Sequence, residues 1–520
     1  MNQNDLKNLP LGLQTFPTLI KNNYLYIDKT EHIYTLIQRP HGRYFLARPR
    51  RFGKSLLVST LITIFNGQKE LFQNLYISQT NYHWQKFPII HLDFSQIDIH
   101  TVSDLTQQIS WQLKQIATEN DITLSDNNYN LQFIDLVKQL AHNSEIIILI
   151  DEYDKPILDN IHDLPLANEI REQLKNFFTI IKSLDAHLRF IFITGISRFS
   201  KAGIFSGLNN LTDLTLDNRY ATLLGITETE IDTYLMPYLH TLASNNDQAI
   251  ADLRQKIKFW YNGFRFADNS VAVYNPYSLF LLLEQQTFRN FWFESGTPAF
   301  LIKLLHEKQY DLQVLNNLEV SEFSFNNYEL DDLRVIPLLY QTGYLTISDY
   351  DSETGLYHLT HPNYEVENAF LQLSLQYFSH TSDAHTSSHY WRLIRALQQP
   401  DLDQFFTTLN TFFANIPYDI QIKQEKYYQT IFYLIFELIG LQITAEARTN
   451  RGRIDAVIET DTNIFIFEFK LDQSPTQALG QIQQNQYAQR YTHTHKSIYL
   501  IGAQFALDNR GILDWQYATL

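Results

Sequence analysis

The segment from Gly42 to Phe65, GRYFLARPRRFGKSLLVSTLITIF, most narrows the folds open to this chain. An apolar run, YFLA, enters a basic turn, and the turn opens into apolar residues at helical spacing: Leu56, Leu57, Leu61, Ile64 and Phe65. Strand, turn and helix with Gly53-Lys54-Ser55 at the junction is the context of a phosphate-binding loop. In such a loop backbone amides cradle phosphates, the Lys reaches the terminal ones and the Ser holds Mg²⁺. Here Arg48 stands where the usual pattern has its first glycine, and Arg50, Arg51 and Phe52 lie inside the loop. The competing reading is an ordinary basic turn ahead of a core helix. Because Arg adopts positive φ less freely than Gly, the loop is expected to grip phosphate with guanidinium groups in place of some amides.

Three later runs, FPIIHLDFS, EIIILIDEYDKP and LRFIFITGISRFS, are β-branched and alternate with helical segments. They predict a parallel sheet with ligands gathered at the carboxyl ends of its strands. Asp151 and Glu152 close the second run. Nucleotide hydrolysis needs an Asp there to hold Mg²⁺ through water and a neighbouring acid to orient the attacking water. Ser197 and Arg198 follow the third run, where related ATPases sense the γ-phosphate. Arg198 is expected to stabilise charge, in cis or toward a neighbouring subunit of a homo-oligomer.

A chain of 520 residues exceeds one typical hydrophobic core, and 44% apolar content with 14% aromatics is globular. From about residue 225 the pattern turns helical and aromatic, and these aromatics read as core rather than as platforms for bases. YLTISDYDSETGLYHLTHPN reads as a hairpin, and SHTSDAHTSSHY at 379–390 as a polar linker whose three His lack zinc-site spacing. The absence of cysteine excludes disulfides and thiolate metal sites, so any metal must take carboxylate, His, carbonyl or water ligands. It also suits a reducing cytoplasm. The longest purely apolar run is too short to cross a bilayer, and no membrane partner is expected. A net charge of −16 excludes a general nucleic-acid coat. Residues 1–55, with nine basic against three acidic residues, form a local basic patch.

Beyond the linker, EKYYQTIFYLIFELIG, GRIDAVIET, NIFIFEFKLD, QALGQIQQNQYAQRY and SIYLIGAQF give helix, strands, helix and strand. Period-two alternation puts Phe465, Phe467, Phe469 and Leu471 on one face of a strand, with Ile464, Ile466, Glu468 and Lys470 on the other. A charge beside IFIF costs several kcal/mol unless a partner or metal compensates it. Asp455 lies on the preceding strand, and a hairpin at ETDTN would bring it beside Glu468 to share a hard divalent cation. Lys470 would then orient water or offset charge on a scissile phosphate, the chemistry of phosphodiester hydrolysis. The competing reading is a salt bridge at a strand end. Glu425, one helical turn before Gln429, would add a metal contact or position the Lys, and Gln481, read as opening the following helix, would line the site.

With YIDKTEHIYTLI, YFLARPRRFGKSLL, IILIDEYDKP, GISRFSKAGIFSGLNNL, YNPYSL, GRIDAVIE and IFEFKLD, the chain resembles a family joining an AAA-ATPase-like domain to a PD-(D/E)XK superfamily nuclease domain. The resemblance spans nearly the whole chain. It implies an α/β protein with an N-terminal P-loop parallel-sheet domain (1–225), a helical lid and winged-helix-like middle region (226–378), a linker (379–390) and a nuclease-like domain (391–520). It further implies nucleotide binding by Lys54, Ser55 and Asp151, and Mg²⁺- or Mn²⁺-dependent cleavage by Asp455, Glu468 and Lys470. The family itself carries R-P-R-R-F-G-K-S, whereas Ile454 stands where the strict nuclease pattern has Pro. The expected function is a nucleotide-regulated nuclease acting on foreign or mobile DNA ahead of RNA. The alternatives are a signalling or scaffold ATPase whose C-terminal domain binds nucleic acid without cutting, and a module that binds nucleotide only to gate a nuclease.

Overall fold

A computed structural model describes residues 6–520 apart from 97, 125–127, 199–203, 295–298, 309, 311, 327–333, 381–382, 415–424, 441–443, 451–452, 472, 492 and 507–510. Within it the chain forms two compact units, residues 1–297 with 317–365, and residues 298–316 with 366–520. Among the described residues no helix is long and apolar enough to cross a membrane.

The first unit is built on five parallel strands: β1 (Gly42–Ala47), β2 (Ile89–Asp93), β3 (Ile146–Asp151), β4 (Leu188–Gly195) and β5 (Thr212–Asp213), in the order β2-β3-β4-β1-β5. Ile146 to Ile150 are fully buried, as expected for a strand covered by helices on both faces. The helix Lys54–Phe65 leaves β1 through the basic turn, and Gly53, at φ 94°, begins it. The four sequence segments read as strands are the four long strands of this sheet.

The rest of this unit is mainly helical. Tyr261, Tyr274, Phe264, Trp292 and Tyr344 are buried, which places these aromatics in the core as expected. The expected hairpin is β7 (Thr346–Asp351) with β8 (Leu356–Thr360), and β6 (Leu318–Ser321) pairs with β8 to complete an antiparallel three-stranded sheet. Asp351 shapes its turn by accepting bonds from Glu353 N, Thr354 N and the Thr354 hydroxyl.

The second unit holds a mixed sheet of β9 (Thr444–Asn450), β10 (Arg453–Glu459), β11 (Asn463–Leu471), β12 (Ser497–Ala506) and β13 (Gly511–Thr519), in the order β13-β12-β11-β10-β9. Only β11 and β12 run parallel. The two faces of β11 divide as the alternation predicts. Phe467 and Phe469 pack against Phe405, Phe432 and Phe436, while Ile464 and Ile466 pack against Ile482, Ile498 and Leu500. The linker expected at 379–390 is largely helical where described: Ser379 ends the helix Tyr364–Ser379 and residues 383–390 lie in the helix Asp383–Gln398. Packing decides this: the Tyr390 hydroxyl donates to Leu438 O at 2.8 Å, and the ring is buried.

Candidate functional site

At the carboxyl end of the first sheet, a cavity of about 570 Å³ is lined by Arg50, Arg51, Lys54, Ser55, Glu152 and Tyr277, among others. The loop and the acidic strand end are therefore neighbours. Lys54 Nζ donates to the carbonyls of Arg48 at 3.0 Å and Pro49 at 3.1 Å. Burial lowers its pKa, opposed by the charges of Glu152 and Asp151. Burial likewise raises the pKa of Asp151, against the polar Ser55 side chain and the nearby Lys54 charge. Glu152 is raised for the same leading reason, with Lys54 opposing and Asp151 adding to the shift. Its own N–H donates to Asp151 Oδ1 at 3.0 Å, and its backbone is left-handed, at φ 49°. A Ser hydroxyl near an Asp carboxylate is a hard-oxygen pair, and it fits Mg²⁺.

The loop solves its missing glycine in an unexpected way. Positive φ falls on Arg51 (67°) and Gly53 (94°), not on Arg48. Arg48 is 1% exposed, and its guanidinium donates to Ala47 O, Thr215 O and Tyr220 O while lying 4.2 Å from the Phe266 ring centre. Burial brings its pKa down to about 10. Arg48 therefore braces the strand end, and the expectation of a guanidinium grip on phosphate passes to its neighbours. Arg51 stacks over Tyr277 at 4.7 Å, and the Arg50 carbonyl accepts from Trp292 Nε1 at 3.2 Å. Phe52 is buried edge-on against Phe264 and Phe266, as an anchor beneath the loop.

Ser197 and Arg198 are not among the residues that line this cavity. Ser197 is buried, and its N–H donates to Asp154 Oδ2 at 2.5 Å. Arg198 forms an ion pair with Asp213 and lies 4.0 Å from Glu322.

In the second unit, Asp455 of β10 stands directly opposite Glu468 of β11 in the antiparallel ladder. Glu468 is fully buried, and Lys470 Nζ approaches its Oε1 at 3.1 Å. The hairpin thus pairs the two acidic positions as the sequence spacing predicts. The side chains of Asp455 and Glu425 lie outside the described residues, and Glu425 begins the helix Glu425–Gly440. Among the described residues, no group of three or more acidic or His side chains has metal-holding geometry. Gln481 does not open its helix. Ser474 caps a helix that runs Pro475–Gln484, so Gln481 lies in its last turn, beside the Ile482 that packs on Ile464 and Ile466. Ser474-Pro475 was the start signal that could have corrected this.

Residues 10–205 match the family model described as Predicted AAA-ATPase, and residues 423–515 match that of the PD-(D/E)XK nuclease superfamily. A protein of Azotobacter chroococcum mcd 1, named as an uncharacterized protein in the vnfD 5′ region, is 35% identical over 529 residues and covers 99% of both chains. The chain belongs to this family of joined AAA-ATPase-like and PD-(D/E)XK nuclease-superfamily domains. The AAA-ATPase-like domain thus contains both the loop and the acidic strand end, and the PD-(D/E)XK domain contains Asp455, Glu468 and Lys470.

Two residues of these domains escaped sequence reasoning. In the AAA-ATPase-like domain it is Asp154, whose place ahead of Lys155-Pro156 reads as an ordinary helix cap. In the PD-(D/E)XK domain it is Gly502, the β12 partner of Glu468. A Cβ at Gly502 would overlap Pro475 O and lie 2.7 Å from Leu479 N. The bare backbone there lets the first turn of the helix Pro475–Gln484 sit on the sheet beside Glu468. An isolated Gly inside a strand pattern is the available signal for such an approach.

Proposed function

We propose that this chain is a nucleotide-regulated, divalent-metal-dependent nuclease acting on DNA in the cytoplasm, with an N-terminal domain that binds and hydrolyses ATP. The observation that carries the reading is the ladder position of Asp455 opposite Glu468, with Lys470 Nζ 3.1 Å from the Glu468 carboxylate. Two acidic residues at opposed positions repel each other unless a cation lies between them. Hard oxygen donors suit Mg²⁺ or Mn²⁺, which when bound polarises a phosphodiester and lowers the pKa of water. Lys470 orients water or offsets phosphate charge, Glu425 adds a metal contact, and Gln481 lines the site. DNA is placed ahead of RNA, and foreign or mobile DNA ahead of the cell's own, by analogy with the superfamily.

In the first domain Arg50, Arg51, Gly53, Lys54 and Ser55 hold the phosphates, Ser55 and Asp151 hold Mg²⁺, and Glu152 orients the attacking water. The nearness of the Ser55 hydroxyl to Asp151 and the shared cavity of Lys54 and Glu152 support this assignment. Phe52, Ser197 and Arg198 act through the loop and the β4 turn.

The test is incubation of purified protein with DNA and RNA in Mg²⁺ or Mn²⁺, with and without ATP. Cleavage is expected, with Asp455→Ala and Glu468→Ala losing metal binding and activity together and Lys470→Ala losing cleavage alone. Absence of cleavage in every condition would favour the scaffold ATPase. Glu152→Gln should keep nucleotide and lose turnover by about 10²- to 10⁴-fold, the usual range for a lost general base. Lys54→Ala should abolish ATP binding by calorimetry, and unchanged affinity would overturn the loop assignment.

A further inference from the structure

Asp154 occupies the cap position of the short helix Lys155–Leu158, yet its side chain makes no cap bond. It turns instead across to the end of β4. The carboxylate, on a residue 1% exposed, accepts from Ile196 N at 3.2 and 3.1 Å and from Ser197 N at 2.5 Å. Tyr153 reinforces the crossing: its N–H donates to Thr194 O at 3.2 Å and its hydroxyl to Ser197 O at 2.9 Å. Gly195 lies between the two turns, and a Cβ there would overlap Asp154 Oδ1 and stand 2.7 Å from the Tyr153 ring. The Gly195 carbonyl also accepts from Arg48 N at 3.1 Å. The ends of β3 and β4 therefore meet at one buried carboxylate, and the end of β1 joins them through Arg48 N.

Two residues before Asp154, Glu152 holds φ at 49°, a conformation that non-glycine residues keep only where the surroundings enforce it. The bonds from Asp154 and Tyr153 to the β4 turn fix the chain on the far side of Glu152, while β3 fixes the near side. We propose that Asp154 is a positioning residue: by tying the turn after β3 to the turn after β4, it holds Glu152 in the left-handed conformation that aims its carboxylate into the nucleotide cavity. This rests on the ATP-hydrolysing reading of the first domain. Lys54 and Ser55 are carried by a separate element, the helix Lys54–Phe65, and the charge of Asp154 acts on Lys54 less than burial, Glu152 and Asp151 do, so releasing the lock acts mainly on turnover and changes nucleotide affinity little.

Asp154→Asn tests this, because an amide keeps the shape but faces the Ile196 and Ser197 N–H groups with one acceptor in place of two. Gly195→Ala tests it independently by displacing the same carboxylate from the β4 side. In both variants ATP affinity, read by calorimetry, should stay within about threefold, while kcat for phosphate release should fall by about 30- to 100-fold, as for a misaimed catalytic group. Tyr153→Phe, which loses one supporting bond, should show a smaller fall of the same kind. If the parent protein turns over ATP and both variants stay within twofold of it, or lose affinity and turnover in parallel, Asp154 is merely structural and the inference fails alone. A parent protein that binds ATP without turnover removes the hydrolytic reading and the inference with it.

Discussion

Arg48 shows how far a motif can stray from its pattern and keep its geometry. A phosphate loop ordinarily needs glycine at its first position for conformational freedom. This loop places its left-handed residues at Arg51 and Gly53 instead, and uses the first position to bond three carbonyls. Restoring the usual residue should therefore do harm. Arg48→Gly leaves those carbonyls without their donor and strips the Phe266 ring of its cover, which should cost about 3 to 5 kcal/mol by denaturant unfolding. No gain in ATP affinity is expected, and a tighter, equally stable variant would refute the bracing role. The Gly53-Lys54-Ser55 junction was legible because strand, turn and helix are contiguous in the chain. The role of Arg48 was not, since Thr215 and Tyr220 are separated from it by 167 and 172 residues.

Among the elements, β11 was the most legible, because period two alone assigns its phenylalanines to one face and Glu468 and Lys470 to the other. The helix that covers the second face was misplaced at its start, and what seats it is a residue without a side chain. Gly502→Ala would drive a methyl group into the first turn of the helix Pro475–Gln484. Overpacking of this kind typically costs about 1 to 3 kcal/mol. The expected outcome is a lower melting temperature for the second unit and loss of cleavage with ATP turnover unchanged; full cleavage would show that the seating of this helix does not matter to the site. The helix Asp383–Gln398 was hidden by its Ser, Thr and His content, which reads as loop until tertiary packing is known.

At the scale of the whole molecule, stability carries a pH signature from the second unit. Burial, followed by the neighbouring charge of Glu437, pushes the Glu367 carboxyl up to about 7. A carboxyl whose pKa is raised on folding binds more protons in the native state, so its contribution to stability declines as pH rises from about 4.5 to about 7. Glu367→Gln should remove that slope and raise the melting temperature at pH 8 relative to the parent; an unchanged slope would place the effect elsewhere. The division of the chain into units was the least legible feature, because residues 298–316 join the second unit and residues 317–365 return to the first. The backbone therefore passes between the units three times, at 297, 316 and 365. A protease that nicks one of these junctions cannot set either unit free, and a fragment cut to begin at residue 366 leaves behind the helix Ala299–Glu307, which belongs to it. A single cut therefore never yields both units whole, because whichever junction is chosen divides at least one of them.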